Sequence, residues 1–352
     1  MPMTVDVLVV DDSPLMQRIT TRLLETDPHI RVVATAADGY EAVEKVLDLH
    51  PDVVTMDIQM PRMNGLEALR QIARKMPTPT IMLSGVEDAT AAVRALQLGA
   101  VEFVSKPSGT ISIDLYKIRD ELIAKVKMAT LVNLDRMAAQ MALPADPLPA
   151  PLCSGSTDGH VVAIAASTGG VQALDRILRQ LPANLPASFL VVQHMPAGFT
   201  ASFAQRLGHY SLLPIEEAQD GSIVQLGAAY LAPGGRHMTI RRDGGQIVIH
   251  LQDTPHANSA RPSADVLMES VVDVAGSHCV GIVLTGMGKD GTVGLARIKQ
   301  AGGVTLAQDR ESCAVFGMPK SAIEEGVVDQ VVPLVQIPTA LVELLGGTNC
   351  NG

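Results

Sequence analysis

Three stretches in the second half of the chain each place a reactive side chain directly after an apolar run. Ser167 follows the run at 161–166, His194 follows FLVVQ, and Asp290 lies in VLTGMGKDG. A serine acts as a nucleophile when a base takes its proton and a further group orients that base. Because the ends of parallel strands meet at one sheet edge, we expect His194 to be the base and Asp290 to orient it.

Backbone groups beside these residues could stabilise the negative oxygen that forms during attack on a carbonyl. The amides of Thr168 and Met287 are our candidates for this oxyanion hole, because both lie in glycine-rich turns. Ser167 also has a structural alternative, since a serine ahead of Thr-Gly-Gly is a common helix N-cap. The pair at 169–170 could instead cradle a dinucleotide, although the full G-x-G-x-x-G spacing is missing.

The proposed base and acid have alternatives as well. His237 and His256 are rival bases, and Asp290 in GKDG could be an ordinary turn or cap residue. Cys279 lies beside His278 and could imitate a Cys-His pair, but it opens a strand and we expect it to be buried. The AASTG turn and the chain order Ser, His, Asp also differ from those of α/β-hydrolases. Spacing alone therefore leaves the triad as one of several interpretations.

Carboxylates gather at strand ends in the first part of the chain. Asp11 and Asp12 follow VDVLVV, and Asp57 follows DVVTM. Clustered carboxylates repel one another and favour a hard cation, which predicts a Mg²⁺ site. The alternative is that Asp11, Asp12 and Ser13 cap a helix whose first residue is Pro14.

Two more polar residues end the strands that follow. Ser84 ends TIMLS, and Lys106 lies in FVSKP. A hydroxyl and an ammonium at the same rim could hold the oxygens of a phosphoryl group, although a lone lysine is more often a solvated surface charge. Side chains that can bind a cation or a phosphate follow one predicted strand after another. This recurrence favours a phosphoryl site over simple helix capping.

The elements that must position these residues are apolar runs that alternate with helical patterns. The runs are short and nearly continuous, as in strands covered on both faces. Leu66, Leu69 and Ile72 illustrate the helical spacing between them. The alternation predicts a parallel, doubly wound sheet. In the first part the runs span 5–10, 30–36, 53–56, 80–83 and 101–104.

Length and composition narrow the class of protein further. The 352 residues favour two domains, and the proline-rich stretch at 142–159 is a candidate linker. A net charge of −10 and an aromatic content of 3% argue against nucleic-acid binding. No signal peptide or membrane-spanning run of roughly 18 apolar residues is visible. The four cysteines form no C-x-x-C pair, which favours a reduced, cytoplasmic setting.

The first part resembles a known family. VVDDS, MDIQMPRMNG, MLSG and FVSKP are similar to motifs of the receiver domain of two-component response regulators, over residues 1 to about 125. The resemblance implies that Asp57 accepts a phosphoryl group and that Asp11, Asp12 and Asp57 together hold Mg²⁺. It implies that the phosphate is sensed by Ser84, Lys106 and the aromatic switch residue Phe103.

The second part resembles the methylesterase domain of the CheB family of chemotaxis response regulators. ASTGG, VVQHMPAGFTASFAQRL, LAPGGRHM, RPSADVLM and LTGMGKDG carry the resemblance, over roughly 160 to 345. It implies that Ser167, His194 and Asp290 are a catalytic triad. It further implies hydrolysis of glutamyl methyl esters on chemoreceptors with release of methanol, and often deamidation of receptor glutamines.

Together the resemblances imply an α/β protein with two doubly wound domains. We expect a flavodoxin-like (βα)5 receiver over 1–125, a helix extension and linker over 126–159, and a Rossmann-like methylesterase domain with a mainly parallel sheet over 160–347. The expected partners are methyl-accepting receptors and a chemotaxis histidine kinase, for a monomer that neither binds nucleic acid nor inserts into membranes. Arg261 could steer an acidic receptor surface, or form an ordinary surface ion pair.

Two other functions stay open at this point. One is a non-catalytic regulator that binds receptors or another signalling partner. The other is a related hydrolase that acts on an ester or amide outside chemotaxis.

Overall fold

The computed structural model describes residues 4–85, 88–106, 114–142, 159–254 and 260–346. The chain divides into two compact units, Met1–Ala138 and Ala139–Gly352. Most of the predicted linker, residues 143–158, lies outside the described residues. Within the described ranges, no helix has the length and apolar character needed to cross a lipid bilayer.

The first unit is a five-stranded parallel sheet with the order β2-β1-β3-β4-β5. Each strand coincides with a predicted apolar run to within one residue, and β3 and β4 are buried along their whole length. The strands are β1 (Val5–Val10), β2 (Ile30–Ala36), β3 (Val53–Asp57), β4 (Thr80–Ser84) and β5 (Glu102–Ser105).

Helices follow each strand of this sheet, which confirms the predicted (βα)5 pattern. Local signals set their starts: in α1, Pro14 is the first residue and the Ser13 hydroxyl accepts the amide of Met16. The helices are α1 (Pro14–Leu24), α2 (Gly39–Leu49), α3 (Gly65–Lys75), α4 (Ala89–Gln97) and α5 (Asp114–Ala129), with α6 (Leu134–Ala142) after them.

The second unit is built on a seven-stranded sheet with the order β14-β13-β12-β6-β7-β9-β8. All of its strand pairs are parallel, and an antiparallel hairpin of β10 and β11 lies outside it. The strands are β6 (His160–Ala166), β7 (Ala187–Gln193), β8 (Ile215–Glu217), β9 (Ala229–Leu231), β10 (His237–Asp243), β11 (Gln246–Gln252), β12 (Cys279–Val283), β13 (Val304–Gln308) and β14 (Gln330–Val332).

The helices of the second unit connect these strands, so this unit is also doubly wound, as predicted. They are α7 (Gly170–Gln180), α8 (Phe199–Tyr210), α9 (Ala264–Ala275), α10 (Thr292–Gln300), α11 (Met318–Glu324) and α12 (Ile337–Leu345). The hairpin packs its Met238 and Ile240 into the same core as Leu267 and Met268 of α9. The hairpin therefore supports α9.

Strand register brings the predicted catalytic loops to the middle of one sheet edge. β6 lies between β12 and β7, with Ala165 paired to Val283 on one side and to Val192 on the other. The loops that leave these strands carry Ser167, His194 and Asp290. Parallel α/β sheets place their chemistry at this carboxyl edge.

Candidate active site and phosphoryl site

The turn that carries Ser167 is a strand-to-helix turn with a left-handed glycine. β6 ends at Ala166, Gly169 is the N-cap of α7 with φ of +78°, and the helix begins at Gly170. Ser167 therefore stands two residues ahead of the capping position. The capping alternative for Ser167 is wrong, because the glycine occupies that position instead.

Hydrogen bonds from both neighbouring strands hold the Ser167 backbone. Its amide donates to the carbonyl of Thr285, at 3.1 Å, and its carbonyl accepts from the Gln193 side chain, at 2.9 Å. The next loop approaches so closely that a Cβ on Gly286 would lie 2.6 Å from the Ser167 Cβ. Glycine is required at position 286 because any larger residue would displace the serine.

Thr285 links its own loop to the turn that contains Thr168, which carries one of the two predicted oxyanion-hole amides. Its buried hydroxyl donates to the carbonyl of Thr168, at 3.0 Å, and accepts the amide of Val315, at 3.0 Å. Its own amide donates to the Gln308 side chain, at 2.8 Å. Sequence reasoning missed Thr285, although the LTGMGKDG motif contains it.

His194 and Asp290 form the hydrogen bond expected of a base and its orienting acid. The Nε2 atom of His194 lies 2.8 Å from the Oδ2 atom of Asp290. The His194 side chain is 20% exposed, whereas that of Asp290 is 3% exposed. An ionised carboxylate only accepts, so Nε2 carries the proton and Nδ1 is the basic nitrogen.

Asp290 is held by more than the histidine. Its Oδ1 accepts the Ser263 hydroxyl, at 2.7 Å, and the amide of Asp265, at 3.2 Å, while Oδ2 also accepts the amide of Ala264, at 2.7 Å. Burial by itself raises the pKa of Asp290, but the bonds from His194, Ala264 and Ser263 outweigh it and lower the pKa. Asp290 thus stays ionised, as an orienting acid must.

Asp290 and Asp265 cap each other's helices. Asp290 precedes α10, yet it accepts the first amides of α9. Asp265 lies in the first turn of α9, yet its Oδ1 accepts the amide of Gly294 in the first turn of α10, at 2.8 Å. Burial raises the pKa of Asp265 to about 6, and the nearby charge of Asp290 adds to this rise. The predicted cap role of Asp290 and its orienting role therefore coexist.

The structure also places the rivals of the triad. His237 is fully buried, and its Nδ1 accepts the amide of Ser263, at 3.2 Å, so it lies behind Asp290 rather than at the surface. Cys279 is buried as predicted, and burial raises the pKa of its thiol to about 11, which keeps it protonated. His256 lies outside the described residues.

The roles predicted for Met287, as an oxyanion-hole amide, and for Arg261, as a steering charge, stay predictions. Met287 follows Gly286 and therefore lies next to the Ser167 turn, and its side chain is 54% exposed. Arg261 donates its Nη1 to the backbone carbonyls of Asp253, at 3.4 Å, and Thr254, at 3.1 Å. These two bonds hold Arg261 at the end of the hairpin, and neither of them is made to a carboxylate.

In the first unit, the side chains of the predicted phosphoryl site lie together at the carboxyl edge of the sheet. Asp11, Asp12 and Asp57 bring carboxylate oxygens within 4.8 Å of one another. Lys106 reaches this cluster, with its Nζ 2.6 Å from Asp57 and 2.9 Å from Asp11. Burial raises the pKa of Asp57, although the Lys106 ammonium opposes this effect. A hard divalent cation fits such an oxygen donor set.

The other two predicted phosphate-sensing residues lie close to this edge. Ser84 is buried and donates its hydroxyl to the carbonyl of Gly85, at 3.0 Å. Phe103 is buried in β5, and Lys125 of α5 donates to its carbonyl, at 2.6 Å, with the ammonium 5.5 Å from the ring centre. Their roles in sensing phosphate stay predictions.

Comparison with known proteins identifies the family. Residues 162–341 match the CheB methylesterase family model, and residues 7–115 match the response regulator receiver domain model. A Pyrococcus abyssi protein named protein-glutamate methylesterase/protein-glutamine glutaminase is 45% identical over 99% of this chain and 98% of its own length. The chain belongs to the CheB methylesterase family.

Other members of the CheB methylesterase family are equally similar. A Symbiobacterium thermophilum protein of the same name is 46% identical over 97% of both chains. The crystal structure of the Thermotoga maritima CheB methylesterase catalytic domain is 45% identical and has a TM-score of 0.52, and it covers 53% of this chain and 98% of its own. The match confirms the predicted α/β fold of the second unit.

The links made by Thr285 generate a prediction about this CheB-family site. Thr285→Val keeps the shape but removes the hydroxyl, so the Thr168 turn loses its anchor. We expect ester hydrolysis to fall by about tenfold, together with a stability loss of about 1–3 kcal/mol. The control is Thr305→Val, which removes an equally buried hydroxyl bonded to Val327 and Asp329. An equal loss of rate in this control would contradict the anchoring role.

The capping of α9 by Asp290 and of α10 by Asp265 generates a prediction about how stability depends on pH. Because the pKa of Asp265 is raised to about 6 in the folded state, its contribution to stability is present at low pH and is lost as the pH rises through 6. Asp265→Asn keeps an acceptor for Gly294 and removes the titration. We expect wild type to lose about 2 kcal/mol between pH 4 and 7 that the variant retains.

Urea unfolding of the second unit at several pH values measures this difference. The exposed Asp243→Asn substitution is the matched control, because it removes a carboxylate at the surface of the hairpin. Parallel pH profiles for wild type and Asp265→Asn would contradict the prediction.

Proposed function

We propose that this chain hydrolyses glutamyl methyl esters on chemoreceptors, releasing methanol, and also deamidates receptor glutamines. The observation that carries the proposal is the bond between His194 Nε2 and Asp290 Oδ2, which joins the loops that follow the two strands on either side of the Ser167 strand. An oriented imidazole beside a serine at the end of a strand is the arrangement that activates a hydroxyl for acyl transfer. The family's name supplies the substrate class.

The reaction begins with attack of Ser167 on the ester carbonyl. Nδ1 of His194 takes the hydroxyl proton, because Nε2 is already occupied by its bond to Asp290. Asp290 stabilises the imidazolium that forms, and the amides of Thr168 and Met287 donate to the carbonyl oxygen as it becomes negative. The tetrahedral intermediate then collapses, and methanol leaves with the proton from His194.

A water molecule completes the cycle. His194 takes a proton from this water as it attacks the acyl-enzyme, and the proton then returns to Ser167, which leaves as a hydroxyl. The products are the receptor glutamate and the regenerated enzyme. The same steps with a glutamine substrate release ammonia in place of methanol.

The first unit regulates this chemistry through Asp57. Asp57 accepts a phosphoryl group from a chemotaxis histidine kinase. Asp11, Asp12 and Asp57 would hold Mg²⁺, which would neutralise negative charge during the transfer. Lys106 and Ser84 contact the phosphate and Phe103 responds to it. We propose that the unphosphorylated receiver inhibits the esterase, and that the added charge shifts the helices near Asp57 and relieves this inhibition.

The proposed cellular location follows from the proposed partners. Both receptors and kinase present their signalling parts in the cytoplasm, so we propose a cytoplasmic monomer that neither inserts into the membrane nor binds nucleic acid. Arg261, which donates only to backbone carbonyls in the bonds described above, keeps its positive charge and steers an acidic receptor segment toward the Ser167 edge.

Methanol release from methylated receptor tests the catalytic proposal. Ser167→Ala removes the nucleophile, so we expect a loss of at least about 10³-fold relative to wild type, with the fold unchanged. His194→Gln should cost about 10²–10⁴-fold. A Ser167→Ala variant as active as wild type would overturn the mechanism. No methanol release by wild type would indicate a non-catalytic regulator or a different ester substrate.

Phosphorylation is tested separately with a small acyl-phosphate donor and Mg²⁺. We expect the donor to raise the rate of methanol release by wild type, and expect neither Asp57→Asn nor EDTA-treated wild type to respond. Asp48→Asn, an exposed carboxylate on α2, is the matched control and should respond normally. Activation of Asp57→Asn by the donor would contradict the assignment of the acceptor.

A further inference from the structure

Ser263 occupies the N-cap position of α9 without capping that helix. Its backbone is extended, with φ of −114° and ψ of 135°, as at an N-cap, but its side chain makes no capping bond. The amides of Ala264 and Asp265 donate instead to Asp290. The fully buried Ser263 hydroxyl also points to Asp290 and donates to its Oδ1, at 2.7 Å.

His237 fixes Ser263 from the opposite side. His237 is the first residue of β10 and is fully buried. Its Nδ1 accepts the amide of Ser263, at 3.2 Å. A continuous chain of hydrogen bonds therefore runs from His237 through Ser263 and Asp290 to His194. All four members lie at or beside the ends of different strands or helices, so their relative positions depend on the tertiary fold.

We propose that Ser263 is a positioning residue of the esterase, which holds Oδ1 of Asp290 so that Oδ2 faces Nε2 of His194. The proposal rests on the proposed function and adds a residue to its machinery. A carboxylate can rotate about its Cβ–Cγ bond and exchange its two oxygens. A 2.7 Å bond to one oxygen opposes that rotation and leaves the other for the imidazole.

The hydroxyl also tunes the charge that His194 meets. In a buried site, each donor to Asp290 draws off part of its negative charge. Without Ser263, Oδ1 loses its 2.7 Å bond and keeps the longer bond from the Asp265 amide, at 3.2 Å. The carboxylate would then be both less constrained and more basic, and it would stabilise the protonated imidazole too strongly for efficient return of the proton to the leaving group.

The test compares Ser263→Ala with Ser188→Ala in the full chain, assayed by methanol release with Mg²⁺ and a small acyl phosphate. Ser188 is a matched control, since it is equally buried in β7 and donates to the Gln225 carbonyl, at 2.9 Å. We expect Ser263→Ala to lower kcat about 10- to 100-fold with little change in KM. Ser188→Ala should keep the wild-type kcat per folded molecule.

The pH profile gives a signature that a merely structural role would not produce. Because the uncompensated Asp290 favours the imidazolium, the acid limb of kcat/KM should move to higher pH in Ser263→Ala but not in Ser188→Ala. An unchanged kcat and an unchanged profile in Ser263→Ala would overturn the proposal. So would a loss of activity that tracks only the folded fraction, measured by circular dichroism.

A second variant covers the case in which Ser263→Ala does not fold. Ser263→Cys is nearly isosteric and carries a much weaker donor, so we expect its kcat and acid limb to lie between those of wild type and a donor-free site. Full wild-type behaviour of this variant would overturn the positioning role. Failure of the proposed function looks different, because wild type itself would then release no methanol.

Discussion

The meeting of two helix N-termini is the constraint on which the second unit's chemistry depends. α9 and α10 start side by side, and each start is capped by a carboxylate that belongs to the other helix, Asp290 for α9 and Asp265 for α10. A helix N-terminus carries about half a positive charge and unsatisfied amides, both of which stabilise an anion. Asp290, the proposed orienting acid, is therefore part of the packing of two helices.

This arrangement needs close backbone approach, and glycines supply it. Gly291, with φ of +92°, lets the chain turn directly from Asp290 into α10, and a Cβ there would meet Val283 at 2.9 Å. In the facing loop, Gly286 allows the Met287 segment to approach the Ser167 turn. Ser167 and Asp290 are thus located by backbone packing, and Thr285 and Gln193 fasten the turn between them. Side chains at the rim can vary without moving these backbones.

Much of the fold was predictable because long apolar runs determine it. The strands β1 to β4 of the first unit and the central strands β6, β7 and β12 are mostly apolar, and such runs have few alternatives to a buried parallel strand. The short edge strand Ile215–Glu217 is only partly buried and leaves a weak pattern. The reactive residues were predictable from the motifs at the strand ends, because the carboxyl ends of parallel strands lie at one edge of the sheet.

The supporting residues were not predictable in the same way. Ser263 and Asp265 act on residues 25 to 29 positions away along the chain, across a helix boundary. Local sequence favours ordinary capping by Ser263 and Asp265 within α9 itself, and only the tertiary packing reassigns those bonds to the neighbouring helix. The choice of Nε2 as the nitrogen that faces Asp290 likewise depends on where α9 places the carboxylate.

The two units neutralise their buried carboxylates by different means, and the chemistry explains the difference. Lys106 pairs with Asp11 and Asp57, where we propose that a phosphoryl group and a cation bind, and its fixed positive charge would attract phosphate oxygens. Among the described residues, Asp290 pairs with no charged group other than His194. A lysine or arginine beside Asp290 would cancel the charge that stabilises the imidazolium. Backbone amides and a hydroxyl instead disperse the charge of Asp290 only in part, so Asp290 stays ionised, as the proposed proton transfer at His194 requires.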